Sequence, residues 1–203
     1  MFLDNIGRAF SFVIPKKLVS LFSSLWRHLF SGFVSRRFKH FGSETTLFPS
    51  CFLEGERFIE LGDNVCIGRR TILTAYQTKN YTPEIKIGNS TAIGGNCHIT
   101  AINRIEIGSN VVLGEDVTIT DNAHGNMTRS ELSMHPFQRT LVSKGPVLVG
   151  DNVWIGDKVT ILPNVKIGSG VVIGANSVVT KDAPPHSILV GNPAKVIKFI
   201  ETN

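Results

Sequence analysis

The side chains in this sequence best suited to acid–base chemistry are its six histidines, because an unperturbed imidazole has a pKa of about 6.5. His124 differs from the others in its setting, since it ends a regular repeat and directly precedes a long interruption. Such a histidine can take a proton from an attacking hydroxyl, and a neighbouring carboxylate can orient its ring. The sequence therefore predicts His124 as a general base and Asp121 as its carboxylate partner. Alternative partners are Glu115, Asp116 and Glu131.

The three cysteines offer a second kind of nucleophile. Cys51, Cys66 and Cys97 follow neither a zinc-binding nor a disulfide spacing, which predicts free thiols in a reducing cytoplasm. Cys66 and Cys97 occupy repeat positions where small residues are common. We therefore expect structural thiols and no covalent acyl-thioester intermediate.

A repeat of six residues must position these side chains, and it runs from Leu61 to Pro184. Fifteen sixes are in phase, in five groups of three. They begin at Leu61, Ile67, Leu73, Ile87, Ile93, Ile99, Ile107, Leu113, Ile119, Val149, Ile155, Ile161, Ile167, Ile173 and Val179. Gly is second in ten of them, and the five exceptions are all third sixes, so the true unit is 18 residues. We expect these glycines at corners where the chain turns at positive φ.

Each 18-residue unit predicts one coil of a three-sided prism. Aliphatic side chains from stacked coils bury one another in a continuous core, each contributing roughly 1.5–3 kcal/mol. Five coils spaced by about 4.8 Å would stand about 24 Å tall. Interruptions at 79–86, 105–106 and 125–148 each follow a third six, so all leave the prism at one corner. Insertions confined to one side of a solenoid usually mark its binding face.

The repeat resembles that of the hexapeptide-repeat acyltransferases from residue 61 to about residue 199. This resemblance implies an all-β fold, a left-handed parallel β-helix, and a homotrimer with active sites between subunits. It also implies acetyl-CoA as the co-substrate, no metal, and a catalytic role for the histidine at the loop junction, His124. The candidates for binding the acceptor are Asn96, His98 and Asn122.

The segment from Val149 onward is similar to the coenzyme-binding half of the galactoside and maltose O-acetyltransferases. Position by position, this similarity implies coenzyme contacts at Trp154, Asp157, Ala175, Thr180, Lys181, Lys195 and Lys198. Asp157 stands where those enzymes have a serine, and the last two lysines stand where they have arginines. Trp154 has an alternative role in covering a subunit contact, and the lysines have an alternative as ordinary solvated residues.

Residues 1–60 are predicted to form an N-terminal arm and entry segment, 61–184 the β-helix with its loop 125–148, and 185–203 a C-terminal extension. Apolar residues recur in the arm at helical spacing: Leu18, Leu21, Phe22, Leu25 and Leu29. Residues 1–41 contain seven Lys or Arg and one acid, whereas the remainder has 14 basic and 15 acidic residues. The arm is therefore expected to pack on the body or a sister subunit, or to rest on an anionic membrane.

Two further features bear on location. The apolar run Ala9–Ile14 is too short for a good signal peptide, and no run of 18 apolar residues suggests a membrane span. The excess of positive charge lies in the front of the chain without a nucleic-acid-binding motif, so no nucleic-acid partner is expected. We expect a cytoplasmic location, with the inner face of the membrane as an alternative.

These features and the resemblance lead us to expect an acetyl-CoA-dependent O-acetyltransferase. Its expected acceptor is a sugar hydroxyl of a cell-envelope glycan, such as a lipopolysaccharide or capsule, or of its precursor. The alternatives are a xenobiotic or sugar-nucleotide N-acetyltransferase and a non-catalytic β-helix scaffold. A metal-bearing hydratase like the gamma-class carbonic anhydrases would need three well-placed histidines, and only His98 and His124 fall at repeat vertices.

Overall fold

A computed structural model describes residues 16–201, most of which lie in coils that are built from short strands and tight turns. Helix α1 (Lys16–Ser35) comes first. The first coil contains β1 (His40–Phe41), β2 (Thr46–Leu47) and β3 (Phe52–Glu54), and the second contains β4 (Ile59–Leu61), β5 (Cys66–Ile67) and β6 (Ile72–Ala75). The third contains β7 (Glu84–Ile87), β8 (Ala92–Ile93) and β9 (His98–Ala101). The fourth coil contains β10 (Arg104–Ile107), β11 (Val112–Leu113) and β12 (Thr118–Thr120).

A long loop separates the fourth coil from the fifth. It is bounded by β13 (Asn122–His124) and β14 (Leu141–Ser143), and between them lie helix α2 (Arg129–Leu132) and a 3-10 turn, Pro136–Gln138. The last two coils contain β15 (Val147–Val149), β16 (Trp154–Ile155) and β17 (Thr160–Ile161), then β18 (Lys166–Ile167), β19 (Val172–Ile173) and β20 (Val178–Val179). Strands β21 (Ser187–Gly191) and β22 (Ala194–Phe199) follow, and a second 3-10 turn, Glu56–Phe58, lies between β3 and β4.

The strands stack into three sheets, which form the sides of a prism. Side A holds the first strand of every coil, side B the second and side C the third. Neighbouring coils pair in parallel, as Ile85 does with Ile105 and Leu113 with Ile155. Strand β21 extends side B in parallel, and β22 folds back on it antiparallel. The predicted parallel β-helix is thus confirmed.

The leading aliphatic residue of each six fills the interior of the prism. All fifteen predicted positions are at most 3% exposed. On side B the inward column runs in register through Leu47, Ile67, Ile93, Leu113, Ile155, Ile173 and Leu189. Because each coil buries its side chains against the next, the core is one continuous column that a single coil could not form.

The repeat glycines permit close approach between coils, so the expectation of positive φ at these residues is wrong. A Cβ on Gly94 would lie 2.2 Å from the carbonyl oxygen of Gly114 in the next coil. Positive φ occurs two residues later, for example at Asn96 and Asn110, both with φ of 57°. Asn tolerates this conformation better than most residues. Gly is therefore required by the approach of two backbones, and Asn serves the turn itself.

The β-helix begins at His40, ahead of the predicted boundary at Leu61. Strands β1, β2 and β3 pair in parallel with β4, β5 and β6. Their leading residues, Phe41, Leu47 and Leu53, keep the six-residue spacing and pack against the core. This coil was missed because a phenylalanine leads one six and only one six, that of Phe41, has Gly second. The described chain therefore has six coils, and residues 187–199 also belong to the stack rather than to a separate extension.

Helix α1 confirms the helical spacing seen in the arm. Its last turns cover the first coil: Ser31 and Val34 are each 2% exposed. The hydroxyl of Ser31 accepts the backbone N–H of Leu47 at 2.9 Å, which joins the helix to side B. The run Ala9–Ile14 lies outside the described residues. Within residues 16–201, no helix combines the length and the apolar character needed to cross a membrane.

Candidate active site

His124 ends β13 at the corner where side C leads into side A. Strand β13 pairs antiparallel with β14, and His124 lies opposite Leu141 in this register. The next residue, Gly125, has φ of 83° and donates its N–H to the carbonyl of Thr140 at 3.0 Å. This short hairpin closes the base of the 125–148 loop. His124 itself is exposed, so its ring is accessible at the foot of the loop.

Asp121 is fully buried and binds backbone rather than His124. Its Oδ1 accepts the N–H of Ile102 at 2.9 Å, and its Oδ2 accepts the N–H of Asn103 at 2.8 Å. The amide of Asn122 also donates to Oδ1, at 3.1 Å. Both carboxylate oxygens thus accept hydrogen bonds from the turn that leads from the third coil into the fourth, the coil that Asp121 itself ends. The prediction that Asp121 orients the His124 ring is corrected, because this carboxylate is occupied in fixing that turn.

The carboxylate of Glu131 lies against the residue that follows His124. A Cβ on Gly125 would meet its carboxyl carbon at 3.3 Å. Its Oε2 accepts the backbone N–H of Asn126 at 2.7 Å and that of Thr128 at 3.2 Å. These hydrogen bonds, that from Thr128 foremost, hold the pKa of Glu131 below its usual value. Glu131 therefore folds the beginning of the loop next to His124.

The ordered start of this loop has a sequence signal that our prediction did not include. Thr128 and Glu131 form a capping box at the start of α2, with the spacing T-x-x-E. The other alternative carboxylates, Glu115 and Asp116, lie at a different corner, between sides B and C, where Asp116 has φ of 58°. Among residues 16–201 no group hydrogen-bonds to the ring of His124.

The outer surface of side C lies between the corner of His124 and the corner between sides B and C. Its outward row runs in register through Phe52, Ile72, His98, Thr118, Thr160 and Val178. Partial burial lowers the pKa of His98, which favours a neutral ring at pH 7. His98 is thus placed on the same side of the prism that His124 borders, and its contact with the acceptor stays a prediction.

Three predicted site residues stack at the corner between sides B and C. Asn96 adopts φ of 57° there, and its Oδ1 accepts a hydrogen bond from Arg70 Nε at 2.7 Å. Two coils further on is Asp157, whose carbonyl accepts the N–H of Asn176, the residue after Ala175, at 2.9 Å. Asn96 is therefore a turn residue whose amide is already engaged, whereas Ala175 is exposed at the end of the stack.

The side chain of Asp157 also has a structural partner. Its Oδ1 accepts the backbone N–H of Glu115 in the preceding coil at 2.9 Å. The same type of hydrogen bond, from a backbone N–H to a side-chain oxygen, recurs from coil to coil at the corner between sides A and B. The accepting side chains there are Asp63, Asn89, Ser109, Asp151 and Ser169. Because Asp, Asn and Ser all accept such hydrogen bonds at that corner, an aspartate in place of a serine at position 157 preserves the hydrogen bond between coils. Any contact of Asp157 with a coenzyme would be additional to this role.

The remaining predicted coenzyme contacts lie at the C-terminal end of the prism. Thr180 and Lys181 follow β20 at the corner that also carries His124, and both are exposed. Lys195 and Lys198 are exposed on β22, at the edge of side B. None of the three lysines takes part in an ion pair within the described chain. Unpaired cations at this end suit the phosphates of a coenzyme, although a lysine binds phosphate as a point charge rather than bidentately.

At the corner of His124, Asn122 is partly buried at the start of β13. Its Nδ2 donates to the carbonyl of Thr100 at 3.3 Å as well as to Asp121. The side chain therefore holds β13 on the coil beneath it. This places Asn122 beside the candidate base but leaves its amide donors engaged with protein groups.

Trp154 lies on side B, away from side C. The outward row of side B is apolar in its central part: Ala92, Val112, Trp154, Val172 and Ile188. Trp154 is 59% exposed and Val112 48%. Side A differs, since its surface carries ion pairs such as Lys39–Glu60 at 2.6 Å. The exposed apolar row favours the alternative role of Trp154, that of covering a subunit contact.

Two of the three cysteines, Cys51 and Cys97, are structural. Burial raises the pKa of Cys51 and of Cys97 to about 11 each, so almost no thiolate forms near neutral pH. The thiol of Cys97 donates to the carbonyl of Gly114 in the next coil at 3.2 Å. Residues 16–201 contain no group of three or more His, Cys, Asp or Glu side chains placed to hold a metal ion.

Comparison with known proteins agrees with this geometry. The family model "Bacterial transferase hexapeptide (six repeats)" matches residues 146–181, which form the last two coils. "Putative acetyltransferase SACOL2570" of Staphylococcus aureus (strain COL) is 44% identical over 72 residues, 36% of each chain. "Putative lipopolysaccharide biosynthesis O-acetyl transferase WbbJ" of Escherichia coli (strain K12) is 40% identical over 86 residues, 40% of this chain and 43% of WbbJ. The matches thus cover 36% and 43% of these relatives, so the chain spans less than half of their length.

Among solved structures, a mutant of AntD, an N-acyltransferase from Bacillus cereus in complex with dTDP and coenzyme A, has a TM-score of 0.68. The two sequences are 21% identical, and the superposition covers 84% of this chain and 89% of the AntD chain. The fold is therefore the left-handed parallel β-helix predicted from the resemblance. In its repeat and its architecture the chain resembles the hexapeptide-repeat acyltransferases.

Proposed function

We propose that this chain is an acetyl-CoA-dependent O-acetyltransferase that modifies a sugar hydroxyl of a cell-envelope glycan or its precursor. The observation that carries the proposal is the position of His124. An exposed imidazole stands at the foot of the long loop, at the corner of the prism where Thr180 and Lys181 also emerge. This arrangement brings a candidate base and candidate coenzyme ligands to one edge of side C.

The chemistry requires one proton transfer and one exchange of bonds. The ring of His124 takes the proton of the acceptor hydroxyl while that oxygen attacks the thioester carbonyl carbon. The carbon–sulfur bond breaks as the tetrahedral intermediate collapses, and the departing thiolate takes the proton from the imidazolium. The oxyanion of this intermediate would need a hydrogen-bond donor aimed at it. The high pKa of the buried thiols supports direct transfer without an acyl-cysteine.

The coenzyme would lie along the last two coils. Lys181, Lys195 and Lys198 supply positive charge for its phosphates, and the small side chain of Ala175 leaves its backbone accessible at the corner. The family model matches this same segment. The resemblance of these positions to those of sugar O-acetyltransferases supports the assignment.

A homotrimer would place each site between two prisms. The three sides differ in a way that fits such packing, since side A is charged, side B has an exposed apolar row and side C borders His124. The row around Trp154 is the surface best suited to contact a neighbouring subunit. An acceptor on a glycan assembled at the inner face of the membrane is supported by the similarity to WbbJ and by the basic N-terminal helix.

An N-acyltransferase acting on a sugar nucleotide is the second candidate. It is supported by the similarity in fold to AntD, which was solved with dTDP and coenzyme A. The two candidates differ in the acceptor atom, because an amine that is protonated at neutral pH must lose a proton before it attacks, whereas a hydroxyl needs a base as it attacks. Matched pairs of sugars with a hydroxyl or an amine at the same carbon separate them.

The deciding experiment follows the release of free coenzyme A from acetyl-CoA by the purified chain across such matched acceptors. We expect turnover with hydroxyl acceptors, and a loss of about 10²–10⁴-fold in kcat for His124→Ala with coenzyme binding retained. His98→Ala is the matched control, an exposed histidine on the same side of the prism, and we expect it to raise KM for the acceptor more than it lowers kcat. Full turnover by His124→Ala would refute the mechanism. Turnover with the amine of each pair alone would favour the second candidate.

A further inference from the structure

Helix α1 turns its broadest apolar surface away from the protein. Eight large apolar side chains of the helix are at least 42% exposed: Leu18, Val19, Leu21, Phe22, Leu25, Trp26, Leu29 and Phe33. With 3.6 residues per turn, they cover a continuous arc of about 160° around the helix. Phe22 is 63% exposed and Phe33 80%, so both rings lie largely in solvent. The surface is thus one contiguous apolar face rather than scattered residues.

The helix docks on the prism through a different face. Ser31 and Val34 are buried against the first coil, and Ser31 binds the backbone of Leu47. The guanidinium of Arg27 lies 5.1 Å from the ring centroid of Phe48. These three residues lie roughly opposite the centre of the apolar arc. The expectation that α1 packs its apolar face on the body is therefore wrong, and this docking holds the apolar face outward.

The charges around the helix have one sign. From residue 16 to residue 43 the sequence contains six Lys or Arg and no Asp or Glu. Arg37 and Lys39 are paired with Glu56 and Glu60 of the body. Lys17 and Arg36, near the two ends of the helix, are exposed and form no ion pair within the described chain. The helix thus presents an apolar face between two exposed cations.

We propose that α1 lies flat in the surface of an anionic lipid bilayer, with Phe22, Leu25 and Leu29 at the centre of the buried face. An apolar arc this wide, with a polar opposite side and basic flanks, is typical of helices that bind the membrane interface. Trp26 lies toward the edge of the arc, where an indole suits the headgroup region. Lys17 and Arg36 are positioned to attract anionic headgroups.

A second copy of this chain fits the same surface less well. A seam between two helices uses a narrow stripe of apolar residues, whereas this arc covers nearly half of the helix. Pairing α1 with itself would also bring cations together with no acid between residues 16 and 43 to offset them. The charge and the width of the face therefore favour lipid.

The test uses the full chain and co-sedimentation with vesicles of phosphatidylcholine alone or with about a quarter phosphatidylglycerol. We expect binding to the anionic vesicles and at least about tenfold weaker binding to the neutral ones. The double variant Phe22→Ser, Leu25→Ser should weaken binding to anionic vesicles by at least about tenfold, because it removes two large apolar groups from the buried face. The matched control, Ser20→Ala with Ser24→Ala, changes two residues on the polar face and should bind as the wild type does.

Light scattering of the same variants in the absence of lipid reports their mass. The proposal is supported if the wild type binds anionic vesicles and the apolar-face variant does not, while the two proteins have the same mass. Equal sedimentation of wild type and the apolar-face variant, or no sedimentation of either, would overturn it. A fall in mass of the apolar-face variant would assign the face to a second copy instead. Vesicle binding needs neither coenzyme nor acceptor, so failure here leaves the proposed acyl transfer untouched, and loss of turnover leaves this inference untouched.

Discussion

The carboxylate of Asp121 accepts the backbone N–H of Asn103 at 2.8 Å, joining the end of the fourth coil to the turn through which the chain enters that coil. With a second hydrogen bond to Ile102, it leaves no carboxylate oxygen directed at His124. The hairpin that carries His124 begins at the next residue, Asn122. Asp121 therefore supports the candidate site through the backbone.

We predict that Asp121→Asn destabilises the fold while sparing the chemistry. One oxygen becomes an NH₂ group facing a backbone N–H, which leaves a buried donor unsatisfied and should cost about 1–3 kcal/mol. Urea denaturation measures this change in the free energy of unfolding. Asp151→Asn is the matched control, because Asn89 already makes the same kind of bond at the same corner. A large loss of kcat in Asp121→Asn at unchanged stability would instead indicate that the carboxylate acts on His124.

The loop next to His124 should loosen in acid at the titration of Glu131. Backbone hydrogen bonds lower the pKa of this carboxyl in the folded protein, so its contribution to loop order is complete above the unfolded pKa, about 4.3. It should be lost as the pH falls through the lowered folded value. Hydrogen exchange at the amides of Asn126 and Thr128, corrected for the intrinsic rate, measures the effect.

A matched substitution tests the assignment to Glu131. In Glu131→Gln the same two amides should exchange faster at neutral pH, because an amide oxygen accepts more weakly than a carboxylate. Glu115→Gln changes an acid at another corner and should leave them unaffected. If both variants exchange alike, the loop is held by something other than Glu131.

The buried thiols should prove dispensable. Thr71 and Cys97 occupy equivalent positions, and each donates to a glycine carbonyl of the next coil, at 3.0 Å and 3.2 Å. We therefore expect Cys97→Thr to fold with a change in stability of less than about 1.5 kcal/mol and to keep its turnover. Thermal denaturation and coenzyme A release measure the two quantities. Abolished turnover in a stably folded Cys97→Thr protein would contradict direct acyl transfer.

The row around Trp154 should control assembly. Trp154→Glu places a charge in an exposed apolar row and should weaken self-association by at least about tenfold, read as a lower mass in sedimentation equilibrium. Leu148→Glu is the control, because it introduces the same charge on the outward row of side A, between Glu106 and Lys166. Equal masses for the two variants would place the subunit contact elsewhere.

Periodicity was sufficient to predict most of the fold but less of the site. The fifteen leading aliphatic residues predicted the prism because their burial requires a fixed spacing, and that spacing is visible in the sequence. The first coil was not predicted because Phe41 stands at the position where the other coils begin with an aliphatic residue. The role of Asp121 was misjudged because closeness in sequence says nothing about where a carboxylate points once a neighbouring coil offers two free N–H groups. The orientation of α1 depends on which face meets the prism, and spacing along one helix does not contain that information.

The corner between sides C and A has a consequence for how this protein can change over time. Each coil must keep its glycines opposite the next backbone and its aliphatic leaders in register, so a residue gained or lost within a side would misalign everything packed against it. At the C–A corner the chain leaves the stack, and the segments there already range from the two residues Ile102 and Asn103 to the long excursion after His124. Insertions and deletions are therefore absorbed where they border the candidate base. In the proposed acetyltransferase, a change of acceptor would therefore need changes at this corner and almost none in the core.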